Sequence, residues 1–133
     1  MTLAGGCLCG AVRFEASGEA TNRCFCHCAS CRRASGAPCV AWATFPRAGF
    51  RVVKGALASV RSSETVSRGF CAACGTSLTY AHDARPGEID VAAATLDDAG
   101  VVAPEHHIWM ADALPWDRPG DGLPQYQGWK KDG

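Results

Sequence analysis

The chain has 133 residues, of which 47% are hydrophobic and 20% are charged. This length fits one domain of ordinary size, and the composition is that of a soluble globular protein rather than a disordered one. The 13 basic residues balance the 13 acidic ones, so bulk charge does not favour nucleic-acid binding. No apolar run approaches the roughly 20 residues of a membrane-spanning helix. We therefore expect a single domain over 1–133, with neither a nucleic-acid nor a membrane partner.

Short segments of alternating or apolar residues, separated by Gly and Pro, predict β-strands along most of the chain. In chain order the candidate strands are 11–16, 38–45, 50–54, 57–61, 65–70, 77–80, 88–96 and 106–110. The one short helical candidate is Ala29–Ser35, which Gly36 would close. The segment from 115 to 133, rich in Pro, Gly and Trp, is expected to wrap over the body without regular structure. The pattern predicts a mostly antiparallel β domain.

Nine cysteines are the most informative feature of the composition. They stand at positions 7, 9, 24, 26, 28, 31, 39, 71 and 74. An odd number excludes a complete set of intramolecular disulfides. The first ten residues carry no basic and apolar pattern of a secretion signal, so the expected compartment is the reducing cytoplasm. Clustered thiols in that compartment are more often metal ligands than disulfides.

The first cysteine group consists of two pairs, Cys7 with Cys9 and Cys71 with Cys74. In an extended segment, residues two apart point the same way, so the first pair can bind one ion. The second pair forms a C-x-x-C turn, and the following Gly75 permits a left-handed turn that brings backbone N–H groups to the sulfurs. Four thiolates are enough for a closed tetrahedral zinc site, and we predict a structural zinc here. Two disulfides or free buried thiols are the alternative.

The second group places Cys24, Cys26, His27, Cys28 and Cys31 within eight residues. The C-x-C-x-x-C part of this segment can donate three thiolates to one metal from one short turn. Three protein ligands and an open fourth position are typical of a catalytic zinc, whereas four ligands are typical of a structural one. Cys24 and His27 are the candidate fourth ligands, and the spacing allows either an open or a closed site.

Three motifs resemble the glutathione-dependent formaldehyde-activating enzyme (GFA) family, whose domain is similar to one in centromere protein V. They are G-G-C-L-C-G-A-V-R-F at 5–14, C-H-C-A-S-C-R-R at 26–33 and F-C-A-A-C-G-T at 70–76. Further matching segments lie at 94–97, 107–109, 114–116 and 121–124. The resemblance therefore covers a core from about residue 5 to 126.

The resemblance implies a mainly β, single-domain fold, the β-tent, in which small antiparallel sheets are pinned by a structural zinc with at most a short helix. It implies two zinc ions per chain. The structural zinc maps onto Cys7, Cys9, Cys71 and Cys74, and the catalytic zinc onto Cys26, Cys28 and Cys31. Cys24 is not one of the family's zinc positions.

The resemblance also implies a carbon–sulfur lyase that adds glutathione, or a similar small thiol, to an aldehyde such as formaldehyde, or runs the reverse reaction. A small-molecule thiol and an aldehyde are then the partners, and the sequence leaves a homo-oligomer open. Two alternatives remain. One is a zinc-stabilised binding or scaffold domain without catalysis, and the other is the same fold acting on another thiol or aldehyde.

Side chains next to the second cysteine group are candidates for secondary roles. Arg32 and Arg33 could offset the charge of three thiolates or bind a glutathione carboxylate in bidentate fashion. His27 could relay a proton to the nascent alkoxide, although a histidine in such a position more often points away. Cys39 lies in an apolar segment and is interpreted as an inert buried thiol.

Overall fold

The computed structural model describes residues 1–130, and ten β-strands in it form two sheets. The smaller sheet has the order β1 (Thr2–Gly6), β2 (Arg13–Ser17) and β5 (Phe50–Lys54). The larger sheet contains β3 (Asn22–Cys26), β4 (Val40–Pro46), β6 (Ala58–Arg61), β7 (Val66–Phe70), β8 (Ser77–His82), β9 (Glu88–Ala92) and β10 (His106–Ile108). Its order is β10-β3-β4-β9-β8-β7-β6. Residues 131–133, the end of the predicted domain and of its tail, lie outside the described residues.

The prediction of a mainly β fold with one short helix is confirmed, with three corrections at the level of single strands. Strand β1 was not predicted, because its Thr-Leu-Ala-Gly-Gly sequence has no alternating pattern. Strand β3 was not predicted either, because its cysteines were considered only as ligands. The predicted strand 88–96 ends at Ala92, where the chain turns into a 3-10 helix, Ala93–Thr95.

One strand pair departs from the antiparallel arrangement. Strand β10 runs parallel to β3 and places His106 opposite Cys24, His107 opposite Phe25 and Ile108 opposite Cys26. All the other strand pairs are antiparallel. The C-terminal part of the chain thereby lies against the strand that leads into the second cysteine group.

The helix α1 (Ala29–Ser35) has the predicted bounds. The Cys28 side chain caps its first turn by accepting a hydrogen bond from the Cys31 N–H at 3.3 Å. Gly36 ends it in a left-handed conformation with φ of 69° and donates its N–H to the Arg32 carbonyl. This local geometry explains why the helix could be predicted from a seven-residue segment. No helix within residues 1–130 is long and apolar enough to cross a membrane.

The main core lies where the two sheets face each other. Its largest fully buried side chains are Phe14 from the small sheet and Phe45, Leu78 and Val91 from the large one. Each such side chain stabilises the fold by about 1.5–3 kcal/mol when it is removed from water. This apolar contact holds the broad faces of the sheets together.

The first cysteine group joins a turn of the smaller sheet to a turn of the larger sheet. Cys7 and Cys9 lie between β1 and β2, and Cys71 and Cys74 lie between β7 and β8. Their four sulfurs all lie within 4.8 Å of one another. The first pair does not lie in an extended segment as expected, because residues 7–10 form a turn in which Gly10 N–H donates to the Cys7 carbonyl. The turn brings both sulfurs to one side, so the four thiols could hold one metal ion.

Backbone N–H groups approach these sulfurs, as the glycine after the C-x-x-C turn predicts. Val12 N–H donates to Cys7 Sγ at 3.2 Å, and Cys74 N–H is 3.5 Å from Cys71 Sγ. Gly75 has φ of 81°, a conformation that other residues rarely adopt. Hydrogen bonds from the Thr76 hydroxyl and backbone lower the pKa of Cys74 to about 5. Cys74 is therefore prepared to carry thiolate, the form that binds zinc.

We predict that Cys74→Ser removes one metal ion per chain and lowers the melting temperature by about 10 °C or more, because binding free energy at a structural site is folding free energy. Circular dichroism and elemental analysis measure the two quantities. Leu8→Ala is the matched control, since Leu8 lies in the same turn with 89% of its surface exposed. A soluble Cys74→Ser protein with the melting temperature of Leu8→Ala would contradict the structural role.

Candidate functional site

The second cysteine group gathers three sulfurs at the junction between β3 and α1. Cys26 is the last residue of β3, Cys28 is the N-cap of α1, and Cys31 lies in its first turn. The three sulfurs lie within 4.8 Å of one another and could hold one metal ion. Because the strand end, the cap and the helix turn are adjacent in the chain, this short segment fixes all three.

A cavity of about 300 Å³ opens beside the three sulfurs. This volume is at the lower end of the range for small-molecule sites. Four aromatic side chains line it, namely Trp42, Tyr80, Trp109 and Trp129. Four charged groups face the same space: Arg68, Arg85, Asp90 and Asp112. The arrangement of an apolar wall with a few polar groups is typical of a ligand or active site.

Arg68 is a site residue that the sequence analysis missed. It lies on β7 with 6% of its surface exposed, and its two terminal nitrogens are 3.9 and 3.7 Å from Cys31 Sγ. Its Nε donates to Ser62 Oγ at 3.2 Å, and its guanidinium lies 5.0 Å from the centre of the Tyr80 ring. In the sequence, the only available signal was that Arg68 shares one face of the predicted strand 65–70 with the apolar Val66; its contact with Cys31 could not be predicted from that.

Hydrogen bonding among the thiols makes Cys31 the acidic member of the group. Contacts from Cys26 and Cys28 lower the pKa of Cys31 to about 2, and the charge of Arg68 adds to the effect. The same contacts raise the pKa of Cys26. The site thus presents a buried thiolate next to a buried guanidinium at neutral pH.

Cys24 also lines the cavity, but its sulfur is not part of the group of three among the described residues. It lies opposite Trp42 in the β3–β4 ladder, and Asn22 Nδ2 is 3.9 Å from its sulfur. Burial raises the pKa of Cys24 to about 12, which disfavours the thiolate form. The Cys24 sulfur is therefore not one of the three that lie close enough together to hold the same metal ion.

The other three candidate residues lie away from the cavity wall. His27 has no exposed surface, and its Nε2 is 2.9 Å from His107 Nδ1 on the opposite side of the loop. Arg33 is exposed and Arg32 is half-buried on α1, and neither is among the residues that line the cavity. Their proposed parts in proton transfer and substrate binding stay predictions, and Arg68 is the arginine that contacts a sulfur.

Asp90 is the less exposed of the two carboxyl groups that line the cavity, since Asp112 is exposed. Asp90 lies on β9, and Thr44 donates a hydrogen bond from its hydroxyl to Asp90 Oδ1 at 2.6 Å. Burial raises the pKa of Asp90 above the usual range for an aspartate. A carboxyl group that takes up a proton more readily than usual, inside a cavity, is a candidate for acid–base chemistry.

Comparison with known proteins agrees with this geometry. The family model described as glutathione-dependent formaldehyde-activating enzyme matches residues 2–112, which include both cysteine groups. The chain belongs to this family. A crystal structure of a Rhodobacter sphaeroides protein has the same fold, with a TM-score of 0.60 and 27% sequence identity. The match covers 92% of this chain and 98% of the Rhodobacter chain.

For a member of this family, the number of cysteine ligands at the second group distinguishes a catalytic metal site from a structural one. We predict that Cys24→Ala keeps the metal content of the wild type, because the Cys24 sulfur lies outside the group of three. Cys28→Ala should lose one metal ion per chain, since two thiolates bind zinc far more weakly than three. Elemental analysis after desalting measures both. A Cys24→Ala protein that also loses one ion would show that Cys24 closes the site.

Proposed function

We propose that this chain is a zinc-dependent enzyme of the carbon–sulfur lyase type with two zinc ions per chain. It adds a glutathione-like thiol to an aldehyde such as formaldehyde to give an S-hydroxymethyl adduct, or catalyses the reverse reaction. The observation that carries the proposal is a group of three sulfurs, rather than four, that opens on a cavity.

The residues of the second group fit a zinc ion. Zinc prefers thiolate ligands, and Cys31 is held in the thiolate form while Cys26 and Cys28 lie within 4.8 Å of it. A zinc ion bound there would supply an open position at which an incoming thiol ionises. Three thiolates and one divalent cation carry a net charge near −1, which the buried Arg68 offsets.

The cavity wall offers a substrate an apolar surface and a guanidinium group. The rings of Trp42 and Tyr80, with centres 5.9 Å apart, form an apolar wall beside the sulfurs. Low polarity at this wall strengthens the attraction between Arg68 and negative charge at the site. Arg85, which lies 5.7 Å from the centre of the Trp129 ring, provides a guanidinium that can bind a substrate carboxylate.

The reaction moves one proton from the thiol to the aldehyde oxygen while the sulfur forms its bond to carbon. Asp90 is the group that can hold this proton inside the cavity, because burial raises the pKa of its carboxyl group. The hydrogen bond from Thr44 fixes Asp90 Oδ1 and leaves the other oxygen for the proton. Proximity of the two reactants and transfer of this proton are the two contributions of the chain.

The direct test is exchange spectroscopy by NMR with glutathione and ¹³C-formaldehyde, which measures the rate of adduct formation above the uncatalysed rate. We expect catalysis from the wild type and its loss in Cys28→Ser. The serine hydroxyl can replace the Cys28 sulfur as the acceptor that caps α1, so this variant should stay folded. Wild-type protein with both metal ions and no rate above background would contradict the proposed reaction. Catalysis with a different thiol or aldehyde would revise the substrate alone.

Arg68→Met should lower the catalytic rate by about ten-fold or more, because the charge of the three-thiolate site loses its buried counter-charge. The matched control is Arg51→Met, since Arg51 lies on the smaller sheet and its side chain is 74% exposed in an ion pair with Glu15. The same exchange experiment measures both. Equal rates in the two variants would exclude the assigned role of Arg68.

Asp90→Asn should slow exchange and also raise the melting temperature at neutral pH by about 2–4 °C. The folded state raises the pKa of Asp90, so it favours the protonated carboxyl. The ionised form therefore costs stability above the folded pKa, and this cost disappears below the unfolded pKa. The difference in melting temperature between variant and wild type should shrink as the pH falls through the folded pKa and disappear below the unfolded value of about 3.8. A destabilised variant would show that the ionised carboxylate stabilises the fold.

A further inference from the structure

On the side of the loop away from the cavity, three chemically different side chains converge. They are His27 from the loop before α1, Cys39 just before β4, and Asp117 from the C-terminal segment. A ring nitrogen, a sulfur and a carboxylate oxygen of this group lie within 4.8 Å of one another. None of the three takes part in the reaction proposed above, and their spacing of 12 and 78 residues along the chain hides the group in the sequence.

Two atoms of this group are buried without a partner. Within residues 1–130, neither His27 Nδ1 nor Asp117 Oδ2 has a hydrogen-bond partner, although both are buried. The two atoms are 3.3 Å apart, and the imidazole has no exposed surface. A buried nitrogen and oxygen that face each other without a hydrogen bond destabilise the fold unless a proton or a metal ion binds to both.

The hydrogen bonds on the other side of His27 decide which nitrogen carries the proton. His107 Nε2 is 2.8 Å from the carboxylate of Asp121 and donates to it, so a neutral His107 accepts at Nδ1. His27 Nε2, at 2.9 Å from that Nδ1, must then donate. His27 Nδ1 is left as a lone pair that points at the Asp117 carboxylate. Two lone pairs in this position are stabilised by a cation, either a metal ion or a proton on the histidine.

We propose that His27 Nδ1, Cys39 Sγ and Asp117 Oδ2 bind a third zinc ion. Two ligands at about 2.0–2.1 Å from one zinc ion in tetrahedral geometry are separated by roughly 3.4 Å, close to the observed 3.3 Å between nitrogen and oxygen. Imidazole, thiolate and carboxylate together suit zinc better than calcium or magnesium, which prefer oxygen. The hydrogen bond from His27 to His107, and from His107 to Asp121, is the outer support that metal-bound histidines usually have.

Such an ion would join three separate parts of the chain. His27 lies between two members of the three-sulfur group, so the ion anchors the loop that carries them. Asp117 belongs to the C-terminal segment, which also supplies Trp129 to the cavity wall. Cys39 is half-buried and the side chain of Asp117 is 25% exposed, which leaves room for water as a fourth ligand.

The test compares metal content after dialysis of the folded protein against excess zinc and desalting. Cys39→Ser and Asp117→Asn should each hold one zinc ion per chain fewer than the wild type. Asp98→Asn, which removes an exposed carboxylate elsewhere, should match the wild type. In protein loaded with Co²⁺, the wild-type minus Cys39→Ser difference spectrum should contain thiolate-to-cobalt charge transfer.

Loss of one ion in both variants, with both keeping the circular dichroism of the wild type, supports the site. Wild-type metal content in either variant overturns it, and His27 and Asp117 then share a proton instead of a metal ion. The comparison does not use catalytic activity, so its result is independent of the reaction proposed for the cavity.

Discussion

Four thiols at the junction of two sheets set the geometry on which the rest of the molecule depends. The apolar core packs the sheets together over their broad faces, but the hydrophobic effect itself is not directional. The group of Cys7, Cys9, Cys71 and Cys74 adds a fixed connection between one turn of the smaller sheet and one turn of the larger sheet. It joins positions that are more than sixty residues apart, so it also removes much of the entropy of the unfolded chain when an ion is bound. With the turn after β7 fixed in this way, β7 holds Arg68 in a defined position beside the cavity.

The three-sulfur group also consists of cysteine thiols, but here the physical difficulty is the repulsion between buried negative charges. A buried cluster of thiolates repels itself unless positive charge lies nearby. Here a metal ion would supply most of that charge, and the guanidinium of Arg68 supplies more at 3.7 Å from Cys31 Sγ. Arg68 comes from β7, which lies near the opposite edge of the larger sheet from β3. The site is therefore assembled by the sheet, although its three sulfurs come from one short segment.

This division explains how much the sequence alone could predict. The helix follows from its cap residues and the glycine that ends it, and it has the predicted bounds. The C-x-C and C-x-x-C spacings are visible locally, but the resemblance to the family is what assigned the cysteines to two groups, and in the structure the sulfurs of each group lie together. Strand β1 and strand β3 were missed because glycine and cysteine carry little strand signal. Arg68 beside Cys31, and Asp117 beside His27, depend on which distant strands and segments meet. No pattern within a short window contains that information, and only the assembled sheet provides it.

The parallel pairing of β10 with β3 places the three-sulfur group and the His27 group on opposite faces of the same strand. Side chains alternate between the faces of a strand, so Cys24 and Cys26 face the cavity together with Ile108 of β10. Phe25 faces the other way and stacks on His107, with ring centres 4.9 Å apart. His27 continues that second face and contacts the same histidine at 2.9 Å. Neighbours in the chain thus belong to sites on opposite faces of one strand. A shift of register by one residue would exchange them, so the pairing with β10 fixes which residues face the cavity.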